Sequence, residues 1–110
     1  MGVTLGSLYL QRLSKDGRQE LVSQLWAQQN GKCFISEKPI DLHLHEVDID
    51  HIVPTRDSGR DDPTNFAITL AHHNRSRQAS DLRVARVLAR LERIRESSAA
   101  RKKVSISRMC

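Results

Sequence analysis

The sequence predicts one small α+β domain, in which two short strands and a short helix form the core and further helices flank it on both sides. Three observations predict this. The chain has 110 residues, which suits a single modest core and not two. Val47 to Val53 alternates apolar with polar residues as a half-buried strand does, and Phe66 to Leu70 forms a second strand-like run. Asp16 to Gln29 and a stretch from Ser80 or Asp81 to Glu96 carry apolar residues at helical spacing. The chain then divides into an N-terminal helical segment (1–31), a central core (32–81), a basic amphipathic helix (82–96) and a flexible basic tail (97–110).

In the first helix, Asp16 followed by Gln19 resembles a capping box, Leu21, Val22, Leu25 and Trp26 recur at helical spacing, and Asn30-Gly31 ends the run. A short turn around Leu5 to Leu13 precedes it, loosened at its start by Gly2 and Gly6. Lys32 to Leu44 reads as a hairpin or knuckle that turns near Pro39. Pro54 ends the first strand. Thr55 to Thr64 holds Gly59, Pro63 and five charged residues in ten positions, which is loop composition. His72 to Gln78 reads as a short polar helix. In the last helix, Val84, Val87, Leu88, Leu91 and Ile94 fall within an arc of roughly 120°, and Arg83, Arg86, Arg90 and Arg93 within about 80° beside it. The expectation is that the apolar arc packs on the core and the arginines form a basic ridge facing solvent.

Lys and Arg number 18 against 13 Asp and Glu, a net charge of +5. With a pI near 9.8, this suits a polyanionic partner, although net charge alone names none. Cys33 and Cys110 lie too far apart in sequence to suggest a disulfide framework, which favours a cytoplasmic setting. Met1 to Leu10 has neither a basic leader region nor a small-residue cleavage site, and no apolar run approaches the ~20 residues a membrane span needs. The expectation is a soluble protein. No internal repeat is visible.

The informative stretch is Val47-Asp48-Ile49-Asp50-His51-Ile52-Val53-Pro54, then Asn65-Phe66-Ala67-Ile68-Thr69-Leu70, then His72-His73-Asn74-Arg75-Ser76-Arg77. An Asp-His pair at a strand end, an Asn opening a second strand and an Asn-Arg nine residues later resemble the HNH, or ββα-metal, endonuclease motif. The Asp-His-Ile-Val-Pro run and the Asn65 to Asn74 spacing are most similar to the HNH domain of RNA-guided CRISPR nucleases. The resemblance spans Cys33 to Asp81. It implies a ββα-metal core that hydrolyses DNA by a one-metal mechanism, with His51 as general base, Asp50 and Asn74 as metal ligands, and Asn65 tying down the loop between the strands.

The chemistry is consistent with that implication. Phosphodiester hydrolysis needs a base to take a proton from water and a cation to hold developing negative charge. Mg²⁺, or Mn²⁺ in its place, prefers oxygen ligands and takes few of them from protein, which suits the Asp50 carboxylate and the Asn74 amide oxygen. Imidazole changes charge near neutral pH, which suits His51 for proton transfer. Adjacent strand residues ordinarily face opposite ways, so Asp50 and His51 reach one site only if the chain twists or breaks before Pro54.

Many HNH domains hold a structural zinc with two Cys-x-x-Cys pairs. Here Cys33 and Ser36 stand at the first pair, and Leu70 and His73 at the second. Zinc wants four Cys or His ligands and only Cys33 and His73 remain, so no structural zinc is expected. Apolar packing by Phe34, Ile35, Ile40 and Leu42 should hold the knuckle instead. Of the adjacent His72 and His73, about 100° apart on a helix, His73 is expected near the knuckle. His43 and His45 lack a third ligand and read as solvated or core-edge histidines.

DNA is the expected partner. Arg75 and Arg77 flank Asn74 and would lie close to a phosphate at the site, and Arg83, Arg86 and Arg90 of the ridge are further contact candidates. No aromatics interleave with the basic residues, so base readout is not visible. The expected activity is that of an endonuclease domain or subunit of a restriction, phage-defence or mobile-element system. Targeting would come from another domain or protein partner, and a homodimer would allow both strands to be cut. The alternative is a catalytically inactive DNA-binding or adaptor module on the same scaffold.

Overall fold

In a computed structural model of the protein, residues 7–77 and 79–109 are described, with side chains as far as 98. The strands β1 (Val47–His51) and β2 (Phe66–Leu70) pair antiparallel, with Val47 opposite Leu70, Ile49 opposite Ile68 and His51 opposite Phe66. β1 ends two residues earlier than the alternation suggests. Ile52 leaves the ladder because its N–H donates to the Asn65 carbonyl at 2.7 Å while its own carbonyl accepts from the N–H of Leu82 at 2.9 Å.

All five residues of β2 are buried. β1 covers one edge, and a strand's other edge must also be satisfied when it is buried. Gln29 does much of this. Its Oε1 accepts from the N–H of Ile68 at 2.8 Å, and its Nε2 donates to the Ile68 and Lys32 carbonyls, each at 2.9 Å. The N–H of Phe34 adds a bond to the Ile68 carbonyl at 3.1 Å.

Gln29 is delivered by the N-terminal helices, α1 (Leu8–Arg12) and α2 (Lys15–Gln28). Ser7 caps α1 by accepting from the N–H of Leu10. Leu5, Gly2 and Gly6 lie outside the described residues. The cap of α2 is Ser14, whose hydroxyl accepts from the N–H of Gly17 at 3.0 Å, and not the Asp16-Gln19 pair. A serine in extended conformation one step ahead of the helix meets that need better than an aspartate already inside the first turn. α2 buries Leu21 and Leu25 and stops at Asn30 and Gly31, both at positive φ. Gly31 has a reason to be glycine, since a Cβ there would meet the Trp26 ring at 2.9 Å.

The knuckle turns at Phe34 to Glu37 and not at Pro39. The N–H of Glu37 reaches the Cys33 carbonyl at 2.9 Å, and the N–H of Cys33 reaches the Lys38 carbonyl at 2.8 Å. Pro39, which has no N–H to give, lies on the returning arm opposite Lys32. Cys33, Ile35 and Ile40 are buried, with Phe34 and Leu42 packed against the same core.

α3 (Ala71–Arg75) follows β2 directly, and α4 (Leu82–Met109) closes the fold. Asp81 accepts from the N–H of Arg83 at 2.8 Å, the cap-like contact expected of it. Two expectations for this helix are corrected. α4 continues past Glu96 to Met109, where the sequence suggests a flexible tail; Cys110 and the side chains of Arg101, Lys102, Lys103 and Arg108 lie outside the described residues. Its faces are also reversed. Leu82 and Ala85 are buried with Ala89 beside them, whereas Val84, Val87, Leu88, Leu91 and Ile94 are exposed.

Three of the arginines expected to face solvent reach back to the knuckle, although Arg90 and Arg93 stay partly exposed. Arg86 donates to the Phe34 carbonyl at 2.8 Å and stacks 4.0 Å above the Phe34 ring. Arg90 holds Glu37 by two bonds of 2.7 Å. Arg93 donates to the Ser36 carbonyl at 2.5 Å and to Glu37 at 2.9 Å. Arg83 turns back to Asp81. The physical reason is a concentration of acceptors on the knuckle turn, which forked guanidinium groups satisfy and aliphatic side chains cannot, while alanines let the helix come close. Among the described residues, no helix is long and apolar enough to cross a membrane.

This clamp should be visible in acid. The hydrogen bond from Arg90 is the main force holding the Glu37 carboxyl down to about 2 from its ordinary 4.5, with burial opposing and Arg93 adding to it. A depressed carboxylate stabilises the fold above its unfolded value and loses that contribution as pH falls toward the folded one. Thermal unfolding of wild type should therefore weaken more steeply between about pH 4.5 and 2 than that of Glu37→Gln; parallel curves would show the clamp to be energetically idle.

Candidate active site

β1 delivers Asp48, Asp50 and His51, the interstrand loop delivers Asp61 and Asn65, and α3 with the residues just after it delivers Asn74 and Arg77. Asp50 and His51 both remain in the ladder, so the chain does not break between them, and the Asp50 side chain itself bridges the two faces. The Asp50 carboxylate curls toward its neighbour, accepting from the backbone N–H of His51 at 2.8 Å, and its Oδ1 lies 4.0 Å from His51 Nδ1. Both residues line a shallow cleft of about 230 Å³ with Pro54, Thr55, Arg56, Arg77 and Ser80.

His51 is 8 % exposed, and its ring packs edge-on against Phe66 with centroids 5.2 Å apart. Its Nε2 lies 2.9 Å from Asp61 Oδ1. Asp61 also accepts from the Ser7 hydroxyl at 2.7 Å and from the N–H of Tyr9 at 3.1 Å. Burial works to raise the Asp61 pKa, but the bonds from Ser7, His51 and Tyr9 outweigh it and hold the carboxyl below its ordinary value. An ionised carboxylate has no proton to give, so the hydrogen in the His51–Asp61 contact sits on Nε2. In the neutral imidazole, Nδ1 is then the free lone pair, on the Asp50 side of the ring.

Asn65 fixes the loop that carries these groups. Its Oδ1 accepts from the N–H of Val53 at 3.0 Å, and its Nδ2 donates to the carbonyls of Val53 at 2.8 Å and Arg60 at 2.9 Å. The loop is tight enough that a Cβ on Gly59 would lie 1.9 Å from the Val53 carbonyl oxygen, so only glycine fits there.

Asn74 is oriented by β1. Its Nδ2 donates to Asp48 Oδ2 at 3.0 Å, which turns the amide oxygen the other way, where it accepts from Arg77 Nη1. The same nitrogen lies 2.8 Å from Asp50 Oδ2. Two oxygens, one anionic and one neutral, thus converge on a single cationic nitrogen beside His51. Such a donor set fits a hard divalent ion. Among the described residues, no three His, Cys, Asp or Glu side chains form a metal cage; an ion that completes its shell with water and phosphate does not need one.

The remaining candidates fall outside this cluster. Arg75 pairs with Glu46 at 2.9 Å and Asp48 at 3.2 Å. Arg83, Arg86 and Arg90, offered by sequence as DNA contacts, are engaged with Asp81, Phe34 and Glu37 as described above. His73 Nδ1 lies 3.9 Å from Cys33 Sγ, which accepts from the N–H of Leu70 at 3.3 Å, so His73 stands beside the knuckle as expected. Burial chiefly, then the charges of His72 and Lys38, lower the His73 pKa. His43 and His45 are exposed and belong to a turn, in which His45 Nδ1 accepts from the N–H of Asp41 at 2.9 Å.

Sequence reasoning missed Asp48, Asp61 and Arg56. Asp48 had a signal, because residues two apart on a strand share a face. Asp61 had none, since its partners Ser7 and Tyr9 are more than fifty positions away. No family model matches the chain, and no match to it was found among curated proteins.

Removing the Asn65 side chain strands three loop groups, so Asn65→Ala should cost about 2 to 4 kcal/mol in denaturant unfolding. A loss near zero would mean that the loop holds itself.

Proposed function

We propose that this protein is a divalent-metal-dependent DNA endonuclease of the HNH type. The observation that carries the reading is the convergence of the Asp50 and Asn74 oxygens on one positive centre next to the free nitrogen of His51. When bound there, Mg²⁺ or Mn²⁺ supplies positive charge against the negative charge that develops on phosphate and leaving oxygen.

The protein groups divide the remaining work. His51 Nδ1 takes the proton from the attacking water, and Asp61 holds the ring in the tautomer that leaves this nitrogen free. Phe66 keeps the ring from turning through its edge-on contact. Asn65 fixes the loop through Val53 and Arg60, which sets where Asp61 stands. Asp48 keeps the Asn74 oxygen pointed at Asp50. Arg56 and Arg77, both lining the cleft, are the cations placed to meet a phosphate.

Plasmid incubated with the protein and Mg²⁺ or Mn²⁺ should be nicked or linearised, with 5′-phosphate and 3′-hydroxyl ends. His51→Ala should lower the rate by about 10² to 10⁴. Absence of cleavage under every metal and partner condition would sink the proposal. Asp61→Asn should slow turnover about 10- to 100-fold while leaving DNA affinity unchanged; a loss of affinity instead would move Asp61 out of the base-orienting role.

A second reading is a non-catalytic DNA-binding or adaptor module. The exposed apolar row on α4 favours it, because such a surface marks a docking face more often than a catalytic one. Salt-dependent DNA binding without cleavage, indifferent to His51→Ala, would select this reading.

A further inference from the structure

The Arg77 guanidinium occupies the position that a bound ion would need. Its Nη1 contacts both Asp50 Oδ2, at 2.8 Å, and the Asn74 amide oxygen. Arg77 and Asp50 side chains are only 20 % and 21 % exposed, so this is a shielded contact and not a mobile surface pair. The neighbouring cations bind elsewhere: Arg75 is held by Glu46 and Asp48, and Arg56 by Ser80. Arg77 lies beyond the end of α3, so its side chain can leave without unwinding that helix.

A guanidinium and a hydrated divalent cation cannot share those two oxygens, since both are positive and both need the same lone pairs. We propose that Arg77 is an internal counter-cation that keeps the Asp50–Asn74 pair converged in the ion-free protein, and that a divalent ion binds by displacing it toward phosphate. This rests on reading Asp50 and Asn74 as ion ligands. In the ion-free state the arginine neutralises the half-buried Asp50 carboxylate, which shares the His51 ring with Asp61, and it holds the Asn74 oxygen in place. Its displacement is a cost set against ion binding, so apparent ion affinity is lower than the two oxygens alone would give. Release also frees a planar donor fork beside the site, suited to a phosphodiester oxygen pair. Ion and DNA would then bind with mutual reinforcement, each favouring the released position.

The test is Mn²⁺ titration of the full chain without DNA, read from the electron spin resonance of free Mn²⁺. Arg77→Ala should bind Mn²⁺ about tenfold to a hundredfold more tightly than wild type, the range expected for losing a competing charge-assisted bond. Arg75→Ala removes an equal charge from an adjacent carboxylate and should change affinity by no more than about threefold. Asp50→Asn should abolish binding in both wild-type and Arg77→Ala backgrounds.

Unchanged or weaker Mn²⁺ binding in Arg77→Ala, with dependence on Asp50 intact, overturns the displacement and leaves the ion site standing. Equal tightening in Arg75→Ala also overturns it, as a bulk charge effect. Binding that ignores Asp50→Asn, or no binding in any variant, overturns the ion site and the displacement together. Should Arg77→Ala fail to fold, Arg77→Gln keeps the bulk without the charge and carries the same expectations. With saturating Mn²⁺, Arg77→Ala should bind duplex DNA more weakly than wild type, and equal affinity would refute the transfer to phosphate.

Discussion

A buried strand with only one neighbouring strand is the constraint on which the rest of the fold depends. β2 is covered on every side, so its outer N–H and C=O groups cannot turn to water. The Gln29 amide and the N–H of Phe34 satisfy Ile68, and Cys33 Sγ accepts from the N–H of Leu70. That requirement places the end of α2 and the start of the knuckle against the same strand. It also sets the candidate site, because Asn65 stands immediately before β2 and Asn74 a few residues after it. A five-residue strand thereby fixes the separation of the loop and helix that frame the cleft.

The knuckle turn is held chiefly by side chains reaching it from α4. Cys33, Ile35, Ser36 and Ile40 are buried, but burial alone leaves the carbonyls of Phe34 and Ser36 and the left-handed backbone of Glu37 uncompensated. Three successive arginines on α4 meet those needs, one by stacking and a carbonyl bond, one by a double ion pair, one by reaching both a carbonyl and the carboxylate. Lysine has neither the planar face nor the fork for this, so the pattern is specific to arginine.

Local signals were legible in the sequence, and long-range pairings were not. β2 stands at the residues its apolar run marks, and Asn30-Gly31 ends α2 as their backbone freedom suggests. The motif spacing brought Asp50, His51, Asn65 and Asn74 into one neighbourhood, although periodicity alone would have sent Asp50 and His51 apart. What failed on α4 was the assumption that the apolar arc faces inward. The helical period reports two faces and says nothing of which one meets a partner rich in acceptors. Asp61 and Arg77 were illegible in their contacts for a related reason: each is an ordinary charged loop residue until the fold brings Ser7 to the first and Asp50 to the second.

The continuation of α4 as helix to Met109 changes where the protein's charge resides. From residue 97 onward the chain has four basic residues and no acidic one, so most of the net +5 belongs to this last stretch and residues 1–96 are close to neutral. On a loose tail that excess would average over all directions. Backbone that is helical to Met109 instead strings these four positions along one helix about 42 Å long. Their distance from the first 96 residues is then set by helical rise, about 1.5 Å per residue, and not by the wandering of a coil.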